Sequence, residues 1–155
     1  MIKAKKSLGQ NFLVDRNILE KITNVTQITD KIILEIGPGT GNLTSFIIKK
    51  KPKKIFVVEK DENLVNYLEE TFKDQLTIIN DDVLKINEIS LFKSKVTVFG
   101  NLPYNISTEI LSKWITNSVE DLWFDNLILM FQKEVADRII AKFDTSNYGR
   151  LSILS

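Results

Sequence analysis

Five short apolar runs punctuate the chain, at residues 31–37 (KIILEIG), 54–60 (KIFVVEK), 76–80 (LTIIN), 95–101 (KVTVFGN) and 126–132 (NLILMFQ). Each is rich in Ile, Val, Leu or Phe and too short for a stable helix, so each reads as a strand. Nearly continuous apolar character predicts burial on both faces, the condition of a parallel sheet covered by helices. Between the runs the apolar positions recur at helical steps. Residues 61–73 carry Leu64, Leu68 and Phe72 on one face, with Asp61 placed to cap the first turn. Residues 107–115 carry Ile110, Leu111, Trp114 and Ile115 behind a capping Ser107, and residues 133–143 carry Val135, Ile139 and Phe143. A further helix over 15–25, through Ile18, Leu19, Ile22 and Val25, precedes the first strand.

A helix followed by alternating strands and helices predicts a doubly wound, Rossmann-like α/β sheet, because parallel strands need right-handed crossovers. The expected strand order is 3-2-1-4-5, which leaves the 126–132 run at one edge. No repeat, linker or low-complexity tract divides the chain. Residues 148–155 (YGRLSILS) open another apolar segment. The expectation is therefore one domain over 1–155 that is truncated before its last strands.

Two absences limit the chemistry more than the composition does. With no Cys there is no disulfide, thiolate zinc site or thiol nucleophile, and with no His the usual general base and imidazole ligands are missing. No metal site is expected. The formal net charge is +1, so bulk electrostatics does not argue for a nucleic-acid partner. Lysines do cluster at positions 3, 5 and 6 and in KKKPKK at 49–54, where a solvated tail and a helix C-terminus account for them. No apolar run reaches the roughly 20 residues of a membrane span, and no secretory signal opens the chain. A cytoplasmic location is expected.

The chemistry gathers at strand ends. EIGPGTGNLT (35–44) is a glycine-rich turn leading into a helix, in which Gly37, Gly39 and Gly41 let backbone N–H groups approach a ligand. Its spacing is G-x-G-x-G, with Asn42 standing where the last glycine of a nicotinamide-binding G-x-G-x-x-G would be. Glu59 closes the second strand, Asp81 and Asp82 the third, and Asn101 the fourth. In a doubly wound sheet all these ends face one crevice. That set suits an adenosine with an amino-acid tail: Glu59 on the ribose hydroxyls, Asp82 on the adenine amine, the glycine loop near the tail.

The stretch FGNLPYNIS (99–107) then has a use that needs neither acid nor base. S-adenosylmethionine carries its own leaving group, so methyl transfer to a nucleobase amine needs a positioned nucleophile. The Asn101 side-chain oxygen and the Leu102 carbonyl can accept the two amine N–H bonds. Pro103 stiffens that carbonyl and Tyr104 offers a face for a flipped base. Phe131 is a second aromatic wall or a core residue.

The motifs LGQNFL (8–13), EIGPGTGNLT, VVEKD (57–61), NDD (80–82), FGNLPYNIS and FQKEV (131–135), in this order and spacing, resemble the ribosomal RNA adenine N6-dimethyltransferases and their antibiotic-resistance relatives. The resemblance covers essentially the whole chain. It implies a class I methyltransferase fold and S-adenosylmethionine contacts at Asn11, Leu13, Gly37, Gly39, Glu59, Asp82 and Asn101. It also implies a catalytic Asn101-Leu102-Pro103-Tyr104 tetrad, acting on two adjacent adenines in a hairpin near the 3′ end of small-subunit rRNA. LGQNFL and NLPYN are closer to the small-subunit enzymes than to the large-subunit resistance methylases. By the same resemblance the partner is the immature small ribosomal subunit, and the full-length protein is a monomer. Family members continue into two more strands and a small helical RNA-gripping domain. A nicotinamide oxidoreductase would fit the fold but not the glycine spacing. A non-catalytic RNA-binding or assembly module would use the basic segments alone.

Overall fold

A computed structural model of the chain describes residues 12–102, 105–117 and 122–154. Five parallel strands, β1 (Ile32–Ile36), β2 (Lys54–Val58), β3 (Thr77–Ile79), β4 (Val96–Asn101) and β5 (Phe124–Met130), lie in the order β3-β2-β1-β4-β5. The reversal of direction at β1 opens a crevice between the C-terminal ends of β1 and β4, the position at which doubly wound sheets take their ligands. The helices are α1 (Arg16–Thr23), α2 (Asn42–Lys49), α3 (Glu62–Phe72), α4 (Glu88–Leu91), α5 (Ser107–Asn117), α6 (Lys133–Ile139) and α7 (Arg150–Leu154).

Each inner strand buries both faces, as its unbroken apolar run requires. On one side Ile33, Val57 and Phe99 meet Leu19 of α1 and Ile47 of α2. On the other, Leu34, Val58 and Val98 meet Ile110 and Trp114 of α5. Alternate residues of a strand thus feed separate cores, the period-two rule of the pleat. Asp15 caps α1 by accepting from the Asn17 and Ile18 amides, and Asp61 caps α3 by accepting from Asn63 N. Among the described residues, no helix is long and apolar enough to cross a membrane.

Several expected boundaries shift for identifiable reasons. β5 runs 124–130 rather than 126–132, because a bulge opposite Val96 and Thr97 lets it start earlier. Asp125 is the extra residue there, and its carboxylate takes Thr97 Oγ1 and Lys31 Nζ, each at 2.7 Å. Helix α6 stops at Ile139, so Phe143 leaves the expected stripe and stands 76% exposed beside Tyr148. Asp144, at φ 64°, turns the chain away from the helical path. On α1 only Leu19 of the expected apolar face is buried, with Ile22 half-buried, while Ile18 and Val25 face solvent. Ser107 is the first residue of α5 rather than its flanking cap.

Candidate active site

Register places the site before any side chain is considered. Ile36 pairs with Val58 of β2 and with Gly100 of β4, and Val58 pairs with Ile79 of β3. One step further, Gly37, Glu59, Asn80 and Asn101 therefore stand in one row along the sheet's C-terminal edge. The row is stitched together by the Gly37 amide donating to Val58 O at 2.9 Å and the Glu59 amide to Ile79 O at 3.1 Å. Asn80 Nδ2 adds a bond to Glu59 O at 2.9 Å. Asn80 is a fastening that the sequence reading passed over.

The loop 37–41 leaves β1 with Gly37, Gly39 and Gly41 at φ 63°, 59° and 76°. A Cβ on Gly39 would lie 2.9 Å from Phe12 Cδ1, so the missing side chain lets the segment before α1 close over the loop. Asn42 secures that closure by donating from Nδ2 to Leu13 O at 2.9 Å. The residue that breaks the nicotinamide motif thus ties Leu13 to the site. Phe12, Leu13, Gly37, Gly39, Asn42 and Asn101 all line one cleft. Asn11 lies outside the described residues.

Glu59 is 7% exposed, and its Oε1 accepts from the Lys60 and Asp61 amides, both at 2.9 Å. Burial raises its pKa above the usual carboxylate value, against those amide bonds. A carboxylate offers about four acceptor positions, so capacity remains for a ligand diol. Asp82 accepts Lys60 Nζ on Oδ2 at 2.8 Å and the Leu84 amide on Oδ1 at 3.0 Å. The Lys60 bond holds its pKa below the usual value, leaving a charged acceptor at the end of β3.

Glu35 also lines the cleft, and the sequence reading did not single it out. It is 1% exposed, accepts Thr44 Oγ1 at 2.7 Å, and is pushed by burial to a pKa of about 7. The signal was present: a lone acid inside the apolar run KIILEIG, at a position with both faces covered, has to be either neutralised or used.

Asn101 ends β4 opposite Met130, and Leu102 beyond it is 1% exposed in the core. Burying that side chain fixes the backbone that presents the Leu102 carbonyl. Pro103 and Tyr104 lie outside the described residues. A larger cleft of about 560 Å³ adjoins the first at Phe12, Leu13 and Asn101 and is walled by Leu129, Met130, Phe131 and Ala136. Phe131 is half-buried, packing against the core and lining this cleft at once.

The five-stranded order, the glycine loop after β1 and the acid after β2 define the fold of S-adenosylmethionine-dependent methyltransferases. A dimethyladenosine transferase from Plasmodium falciparum superposes with a TM-score of 0.79 at 31% identity, over 93% of this chain and 51% of that one. The 23S rRNA methyltransferase ErmE superposes with a TM-score of 0.72 at 24% identity, over 90% of this chain and 53% of that one, a likeness of fold alone. The description "Ribosomal RNA adenine dimethylase" matches residues 1–155, and the chain belongs to that family. A Pelagibacter ubique (strain HTCC1062) protein named Ribosomal RNA small subunit methyltransferase A is 66% identical over 154 residues, covering 99% of this chain and 59% of its own length. The chain thus spans little more than half the length of the relatives it resembles.

Proposed function

We propose that this chain carries the cofactor-binding and catalytic part of an S-adenosylmethionine-dependent enzyme that dimethylates N6 of two adjacent adenines in the 3′-terminal hairpin of small-subunit rRNA, during ribosome biogenesis in the cytoplasm. The observation that carries the reading is the row Gly37–Glu59 with Asn101 on the neighbouring strand. It sets a nucleoside-binding carboxylate and a candidate amine acceptor on two sides of one glycine loop. The small-subunit assignment follows the name of the 66%-identical relative.

The residues fit the cofactor by their chemistry. Glu59 is a buried acceptor able to take a ribose diol, Asp82 a charged acceptor for an adenine amine, and the backbone at Gly37, Gly39 and Leu13 lines the cleft on the β1 side of Glu59. When bound, S-adenosylmethionine supplies an electrophilic methyl group and its own leaving group. The chain's part is orientation. Asn101 Oδ1 and Leu102 O accept the N–H bonds of the target amine and favour a pyramidal nitrogen. The cleft of about 560 Å³ beside Asn101 lies within the roughly 300–1,000 Å³ of ligand pockets and takes the flipped base against Phe131. No general base is required, which suits a chain without His or Cys.

The test is mass spectrometry of rRNA from under-methylated small subunits incubated with the full-length protein and S-adenosylmethionine. Dimethyladenosine at two adjacent positions near the 3′ end is the expected result. Methylation of large-subunit rRNA, or of none, would overturn it.

A further inference from the structure

The crossover between β3 and β4 has no long helix to hold it, yet Asp82 sits at its start. Its backbone is gripped from α5. Lys113 Nζ donates to Val83 O at 2.8 Å and to Ile86 O at 2.5 Å, and pairs with Glu88 Oε1 at 2.8 Å. An ammonium has three N–H donors, and these bonds use all of them. Trp114 Nε1 donates to the same Glu88 oxygen at 2.6 Å. Glu88 is 3% exposed and Trp114 fully buried, while the Lys113 side chain keeps 17% exposure, so this polar cluster lies at the margin of the apolar core. Asp82 itself closes the first turn of the segment, with the Lys85 amide donating to its carbonyl at 2.8 Å and the Leu84 amide to its Oδ1.

A crossover could be anchored more simply by apolar residues, since buried ion pairs are seldom better for stability than a packed hydrophobic replacement. What an ammonium adds is direction: three oxygens at fixed positions converge on one nitrogen. Those three lie one, four and six residues beyond Asp82. Helix α5, which supplies the nitrogen, follows directly on the segment containing Asn101 and Leu102.

We infer that Lys113, held by Glu88, is a positioning residue that sets the Asp82 carboxylate for recognition of the 6-amino group of the cofactor's purine. It thereby couples that end of the cleft to the helix behind the catalytic segment. The inference rests on the reading of Asp82 given above. Lys113 touches neither ligand nor target and acts through the backbone of 83–88.

Titration calorimetry with ligand pairs tests it. S-adenosylhomocysteine and its 6-oxo counterpart differ where Asp82 acts, because a carboxylate attracts an amino group and repels a carbonyl. S-adenosylhomocysteine and its 2′-deoxy counterpart differ where Glu59 acts. In Lys113→Met the amino-over-oxo preference should fall at least about threefold, the order of one hydrogen bond, while the 2′-hydroxyl preference stays at the wild-type value. Should that variant not fold, Glu88→Gln, which retains the acceptor for Trp114 and loses the charge facing Lys113, should show the same selective loss. A lower melting temperature with both preferences unchanged, or an equal fall in both, would reduce Lys113 to a structural brace and overturn the inference. A wild-type protein with no amino-over-oxo preference would overturn the Asp82 reading itself, and this inference with it.

Discussion

Thr44 Oγ1 donates at 2.7 Å to Glu35 Oε2, part of a carboxyl group that burial has pushed to a pKa of about 7. The group's unfolded value is 4.5, so the folded state holds its proton more tightly. The folded protein then binds more protons than the unfolded chain between pH 4.5 and 7, and stability falls as pH rises through that window. The shift corresponds to roughly 3 kcal/mol. Denaturant unfolding should show Glu35→Gln gaining on the wild type from pH 4.5 to 7 and holding a constant lead above it. A variant whose stability tracks the wild type across the window would show that Glu35 is ionised in the fold.

Binding should be lost by degrees at the crevice. Charge-assisted bonds are worth about 1.5–3 kcal/mol each, so Glu59→Ala should weaken S-adenosylhomocysteine by a few kcal/mol. Asp82→Ala removes a single contact and should cost less. Calorimetric titrations with unchanged affinity in both variants would discard the proposed binding mode.

Turnover should separate from binding on the other side of the cleft. Asn101→Ala should lower the rate by on the order of a hundredfold or more, as loss of an orienting polar group does, with a smaller loss of cofactor affinity. Tyr104→Ala should lose turnover and keep the cofactor, because its proposed partner is the base. Wild-type methylation by Tyr104→Ala would remove the stacking role.

Gly41 is a stability position. It precedes α2 at φ 76°, and a Cβ there would collide with the Phe72 ring of α3. Left-handed backbone costs a non-glycine residue roughly 1–2 kcal/mol, and displacing a packed ring typically 1–3 more. Gly41→Ala should therefore unfold about 2–5 kcal/mol more easily in urea. A loss under 1 kcal/mol would mean that Phe72 yields without cost.

Among the described residues, strand β5 pairs with β4 alone and occupies one end of the sheet. An apolar strand with an open edge templates pairing with another chain. The 155-residue chain should accordingly self-associate in sedimentation runs as concentration rises. A monomer at high concentration would contradict this.

The strands, their order and the placing of Gly37, Glu59 and Asn101 at neighbouring strand ends were legible because they follow from periodicity and crossover handedness, which are local or generic constraints. Apolar runs bounded by glycine or by single acids say where a parallel strand ends, and strand ends are where such a sheet keeps its chemistry. Tertiary structure decided what depends on separate segments meeting. The bulge at Asp125 needs Lys31 and Thr97 to arrive from two other segments. Asn42 looked like a broken motif until Leu13 O stood 2.9 Å away. Glu35 reads as one more acid until both sheet faces close over it, and Lys113 as one more surface lysine until Val83, Ile86 and Glu88 surround it. Propensity along a chain carries no term for such encounters. The cost of burying a charge, and the bonds that offset it, exist only once the layers are packed.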